Sequence, residues 1–229
     1  MFWKEDEAAT DEFKVSGDIV DVVYAIRCRS VPLDHAHALS ESIHSALPWF
    51  AEEPDAGLHM IHISEAGNGW FRPDNPDTDE LILSRRSRLI LRLPKHRFEQ
   101  AGELTGMELE VAGRSLTVGE HKTRPLSSAS TQFSRYVQTE DIDNEEQFLK
   151  YIAAELEALL ETDIRKIMCG KAHTLNTPQG HINTRSVMVA DLAPESAVLL
   201  EQKGLGTGRK MGCGLFIPHK GIKAVKETH

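Results

Sequence analysis

The sequence predicts an α+β protein in which one strand-helix-strand-strand-helix-strand unit is followed by a second of the same order. Three observations carry this expectation: β-branched or alternating apolar runs of strand length, amphipathic helical stripes between them, and a small polar break at 126–130 where the pattern restarts. At 229 residues and 25.6 kDa the chain is long enough for one large or two small domains with real cores.

Residues 1–18 are acidic and unpatterned and read as a leader. Residues 19–28, Ile-Val-Asp-Val-Val-Tyr-Ala-Ile-Arg-Cys, form the first expected strand. After Pro32, Asp34 can cap a helix over 35–47 whose Leu39, Ile43 and Leu47 repeat at i, i+4, i+8. Strands are expected at 58–64 and 87–93, the latter with Leu89, Leu91 and Leu93 on one face. A short helix at 94–101 and strand pieces in 107–118, turning at Ala112 and Gly113, complete the unit.

The second unit opens with a strand at 133–139. Asp143 or Asn144 can cap a long helix with Phe148, Ile152, Leu156 and Leu159 or Leu160 inward. Strands at 164–174 and 181–191 flank the turn Asn-Thr-Pro-Gln-Gly at 176–180. Pro194 starts a helix that ends at Gly204, and 212–217 supplies a closing strand. This order is that of two tandem ferredoxin-like (RRM-like) βαββαβ domains, placed at 19–126 and 131–220, with a basic tail at 221–229.

A net charge of -9 argues against indiscriminate polyanion binding. The cations are nevertheless segregated: Arg85, Arg86, Arg88 and Arg92 form one group, Arg165 and Lys166 another, and 203–226 carries six lysines or arginines without an acid. Such a pattern permits one basic face and a specific polyanionic partner. Cys28, Cys169 and Cys213 are scattered and unpaired in spacing, so a reducing cytoplasm is the expected compartment. The acidic N-terminus leads into no signal peptide or membrane span, and no cofactor or membrane partner is expected.

The most specific stretch is 204–214, Gly-Leu-Gly-Thr-Gly-Arg-Lys-Met-Gly-Cys-Gly, followed by Leu-Phe-Ile-Pro-His-Lys. Neither Gly-x-Gly-x-x-Gly nor a Gly-Lys-Ser/Thr ending can be placed in it, which excludes the familiar nucleotide loops. Closely spaced glycines let a backbone approach a phosphate polymer, plausibly RNA. This helix ending in Gly-Leu-Gly, then a basic pair, then Gly-x-Gly-Leu-Phe, resembles the C-terminal signature of the CRISPR repeat-processing endoribonucleases of the RAMP superfamily.

The resemblance covers the chain after the leader and implies paired ferredoxin-like folds. It also implies metal-independent cleavage of precursor CRISPR RNA within its repeats, with 2′-hydroxyl attack giving a 2′,3′-cyclic phosphate and a 5′-hydroxyl. CRISPR repeat RNA is the implied partner, together with other CRISPR effector or adaptation subunits where the product stays bound. Gly204, Gly206, Gly208, Gly212 and Gly214 would cradle phosphate, and Arg209 and Lys210 would bind it. The candidate RNA-gripping cations elsewhere are Arg85, Arg86, Arg88, Arg165, Lys166 and Arg185, because guanidinium groups suit phosphates and guanine edges.

Cleavage without metal needs a proton acceptor and a proton donor near neutrality, which histidine supplies. Five of the 11 histidines, His35, His37, His44, His59 and His62, fall in one window. By the resemblance His59 is the candidate base, with His44 or His35 as acid or orienting partner; His35 could equally be a helix-start contact. His59 and His62 have opposite strand parity and should face opposite ways. No His-Glu-x-x-His and no nearby cysteine pair recommend a metal site. The family's lysine is missing, since none lies between Lys14 and Lys95, so an arginine, a lysine from elsewhere or the glycine loop must meet the phosphorane charge. Trp49 and Phe50 read as core; Trp70 and Phe71 could stack bases. A silent guide-RNA-binding RAMP subunit is the rival reading, and an unrelated RRM protein lacks its Lys/Arg-Gly-Phe strand.

Overall fold

The computed structural model describes residues 15–62, 79–140 and 144–219. Most of the leader, Asp143, the loop with Trp70 and Phe71, Lys220 and the basic tail lie outside the described residues. In chain order the first half comprises β1 (Ile19–Arg27), β2 (Ser30–Pro32), α1 (Ala36–Ala46), α2 (Trp49–Glu52), β3 (Gly57–His59), β4 (Glu80–Ile82), β5 (Arg88–Pro94), α3 (Phe98–Ala101), β6 (Glu108–Val111) and β7 (Arg114–Pro125). The second half comprises β8 (Gln132–Gln138), α4 (Glu145–Leu160), β9 (Lys166–Thr177), β10 (Gly180–Ala190), α5 (Pro194–Lys203) and β11 (Ile217–Pro218).

Two antiparallel sheets result, a five-stranded one ordered β3-β5-β1-β7-β6 and a four-stranded one ordered β11-β8-β10-β9. A small β2-β4 pair, which no periodicity announced, lies apart. The alternation in β1 decides its two faces. Val20, Val22, Tyr24 and Ile26 join Leu39, Ile43 and the three leucines of β5 in one core, while Asp21 points the other way. In the second sheet Val137, Val187 and Val189 meet the α4 stripe of Phe148, Ile152, Leu156 and Leu160.

Local signals account for most boundaries. Asn144 caps α4, accepting the N–H of Gln147 at 3.0 Å, and Glu161 ends it in the left-handed region. Pro194 sits in the first turn of α5, and Gly204 closes it at φ 66°. The hairpin between β6 and β7 turns where Ala112 and Gly113 have φ of 49° and 75°.

Three expectations need correction. Asp34 does not cap α1; its carboxylate accepts the N–H of Asn176 at 2.8 Å, tying helix entry to β9, and His35 occupies the cap position. Among the described residues the strand expected at 58–64 ends at His59, in β3, after which 60–62 leave the sheet edge; positions 63 and 64 lie outside the described residues. The closing strand expected at 212–217 is reduced to Ile217–Pro218, since the preceding glycines turn the chain instead of extending it.

The halves are joined through the face of the first sheet that carries Asp21. Arg92 is fully buried there, giving Nε–H to Asp21 at 2.9 Å and NH2 to the same carboxylate at 3.3 Å. Its NH1 donates to the backbone carbonyls of Glu201 and Phe216, both at 2.8 Å and both in the second half. A buried cation is costly unless its donors find partners, and here the second half takes both N–H groups of NH1 and brings the Glu201 carboxylate within 3.9 Å of NH2. Beside it Ala36, Met60, Leu175 and Cys213 form a small apolar cluster between the units.

Candidate active site

The α1 helix buries Leu39 and Ile43 in its own sheet, which leaves Ser40 and His44, four residues apart, on a flank facing the glycine loop. Ser40 donates its hydroxyl to the carbonyl of Lys210 at 2.8 Å and lies 3.5 Å from His44 Nδ1. Lys210 crosses the same spot and donates Nζ to the Ala51 carbonyl at the end of α2. The His44 ring rests 5.5 Å from that of Phe50, and its Nε2 is covered but has no hydrogen-bond partner. Burial pushes the His44 pKa below the ordinary histidine value, Glu41 opposes this, and the Lys210 ammonium reinforces it. Burial also lowers the Lys210 pKa, against the opposing pull of Glu53. The result is an imidazole biased to its neutral form beside an ammonium that stays charged. One accepts a proton and the other steadies negative charge.

His59 stands elsewhere. It ends β3 on the Asp21 face, with Nε2 3.6 Å from Asp21 Oδ1 and its side chain only 12% exposed. Burial lowers its pKa, although hydrogen bonding and charge from Asp21 pull upward. Asp21 would itself be raised by burial, but Arg92 and His59 hold it well below the usual carboxylate range. Arg124 adds a 2.7 Å contact to Asp21. Glu201, by contrast, is raised because burial outweighs Arg92. Asp21, Arg92 and Glu201 carried no sequence signal beyond a charged residue inside an apolar strand or helix.

His35 is fully buried, and both ring nitrogens are engaged: Nδ1 lies 2.8 Å from the Pro32 carbonyl, and Nε2 accepts the N–H of Ile61 at 3.1 Å. Nδ1 therefore carries the proton. Of the two readings kept for this residue, the geometry fits the helix-start contact and corrects its candidacy as an acid. The parity expected of His59 and His62 does not apply, because β3 ends at His59; His62 instead reaches across to Tyr136 of the second half.

Most glycines of the loop are held by contacts within the chain. A Cβ on Gly214 would lie 1.9 Å from the Leu205 carbonyl, and one on Gly204 2.4 Å from that of Gly214, so these glycines let the loop close on itself. Gly212 is filled by Met60 and Gly208 by Cys213. Only Gly206 opens outward, at the mouth of a cavity of about 430 Å³ lined by Phe148, Tyr151 and Thr207. Arg209 is likewise engaged within the chain. It is half-buried and donates to the carbonyls of Gln202 at 2.8 Å, Asp55 at 3.3 Å and Lys203, closing the end of α5, with burial lowering its pKa to about 10.

The remaining cations are dispersed. Arg88 folds back onto the carbonyls of Arg85 and Ser87, Lys166 pairs with Asp191 at 2.7 Å, and Arg185 lies 3.6 Å from Glu145. Arg85, Arg86 and Arg165 are exposed.

A family model described as Cas6 CRISPR matches residues 20–221. A relative from Myxococcus xanthus (strain DK1622), named CRISPR-associated endonuclease Cas6, is 27% identical over 199 residues, covering 87% of this chain and 81% of its own. Among solved structures, one named CRISPR associated protein Cas6 aligns with a TM-score of 0.59 at 14% identity, over 88% of this chain and 100% of its own. Another, titled a RAMP protein binding different RNA substrates, gives 0.58 at 15% identity over 88% and 100%. These structural likenesses show a shared fold, and the model match, spanning nearly all of the described chain, shows that the protein belongs to the Cas6 CRISPR family.

Proposed function

We propose that this enzyme cleaves precursor CRISPR RNA within its repeats, without metal, by attack of the substrate's own 2′-hydroxyl. Each sheet has the order of a ferredoxin-like unit, with the fourth strand of the βαββαβ series beside the first. We assign these units to 19–126 and 131–220, β6 being an addition to the first. The observation that carries the mechanism is the junction of His44 and Lys210, one from each unit, held by the Ser40 bond.

In this mechanism neutral His44 takes the 2′-hydroxyl proton, the oxygen attacks the adjacent phosphorus, and the P–O5′ bond breaks as the leaving 5′-oxygen takes a proton from water, His44 returning its own to solvent. Lys210, released from the Ala51 carbonyl, meets the charge on the phosphorane, supplying the lysine that is missing between Lys14 and Lys95. His59 and Asp21 position β3 and the interface. Cleavage of a repeat transcript should then survive excess EDTA and stop when the nucleotide before the scissile phosphate is 2′-deoxy, while binding of that RNA falls only a few fold. Cleavage of the deoxy substrate, or activity restored to the EDTA-treated enzyme only by a divalent ion, contradicts the mechanism. Binding of both RNAs with cleavage of neither would instead identify a guide-RNA-holding subunit.

A further inference from the structure

One group of side chains plays no part in the mechanism, although Tyr136 within it packs one side against the apolar cluster between the units. The β8-β10 register shifts at Ser186, so Arg135 and Tyr136 together oppose that single residue. Val137 and the Ser134 partner Val187 both point at the helices, which turns Phe133 and Tyr136 alike to the opposite face, toward the first unit. Strict alternation would have put positions 133 and 136 on different faces. On this face the Tyr136 ring stands 5.3 Å from His173 of β9 and 6.2 Å from His62 of the first unit, the latter pair within 21° of parallel. Phe133 lies 5.7 Å from His219, and the Arg135 guanidinium stands 5.9 Å from its centroid.

We infer that His62, Tyr136 and His173 form a stacking platform for an unpaired base of the RNA, a role that rests on the proposed RNA substrate. Rings that merely filled a core would be enclosed, yet His62 is exposed and Tyr136 and His173 are half-buried. Aromatic faces accept any base, because every base has a π-face. The platform also adjoins the catalytic loop: Tyr136 accepts the Gly214 N–H at 2.6 Å, and Gly214 is four residues from Lys210, at most about 14 Å of chain. A strand laid along this loop reaches both. The bulge in β8 thus serves to bring a ring from each unit onto one ligand.

The test is equilibrium binding of the full chain to repeat RNA, with 2-aminopurine scanned through the unpaired positions. Tyr136→Leu should weaken binding about tenfold and Tyr136→Phe hardly at all, with the salt slope unchanged, because stacking displaces no counterions. One 2-aminopurine position should be quenched by the wild type and released in Tyr136→Leu. His62→Ala, which alters an exposed side chain and leaves the fold intact, should weaken binding about threefold or more and release the same position. Unchanged affinity and quenching in both variants overturn the platform and point to a protein contact on this face; a weaker affinity with a flattened salt slope overturns it in favour of a phosphate contact. A wild type that binds no repeat RNA defeats the proposed function itself, a result separable from both.

Discussion

His44 and Lys210 divide the chemistry between a proton acceptor and a fixed charge. His44→Ala should lower single-turnover cleavage about a hundredfold or more, the range for losing a general base, and His59→Ala should lower it less. The opposite ranking, read from the same time courses, returns the base to His59. Because burial and Lys210 lower the His44 pKa, its neutral form persists below the ordinary value of 6.5. The acidic limb of the rate profile should therefore fall below that pH, and in Lys210→Ala it should move upward. Lys210→Ala should also reduce the salt slope of RNA affinity by about one. The sequence named both residues, yet their meeting was not legible, because Ser40 sits 170 positions from Lys210 and nothing local marks that contact. His35 looked like a second candidate because burial is invisible in a short polar helix entry.

The glycine loop belongs to the scale of elements, where its density was legible and its purpose was not. Gly206 and Gly214 share left-handed backbone, but only Gly214 faces a carbonyl that cannot retreat. Gly206→Ala should cost about 1 kcal/mol, the penalty for left-handed backbone, and Gly214→Ala appreciably more, since the Leu205 peptide must move. Urea denaturation of the two variants checks the ranking; equal losses would deny the close approach. Helix stripes and leucine alternation were readable because one residue's face depends on its own spacing. The β2-β4 pair was not, since three-residue strands 50 positions apart leave no period. The β8 bulge escaped for a related reason: register is decided by the partner strand.

Across the whole molecule, the buried charges set the response to pH. His35 and His59 have folded pKa values below the unfolded 6.5, so the unfolded chain binds more protons as the medium acidifies. Stability should fall from about pH 7 toward pH 5, and His59→Gln should flatten that decline in urea midpoints. Asp21, held low by Arg92 against its burial, adds stability that is lost below about pH 3.8, while the raised Glu201 works in the opposite sense above 4.5. The mixed strands and helices of two antiparallel sheets were legible from element order; the joint between the halves was not, because Arg92 looks in sequence like one more member of a basic run. That joint makes the two units thermodynamically inseparable. Severed at the 126–130 connection, the first would lose the Glu201 and Phe216 carbonyls and lay Arg92 and the apolar Ala36 and Met60 open to water, so the fragment should be insoluble or molten while the uncut chain melts in one transition. Through one guanidinium, the second half cannot be exchanged for another that fails to present two carbonyls at the same place.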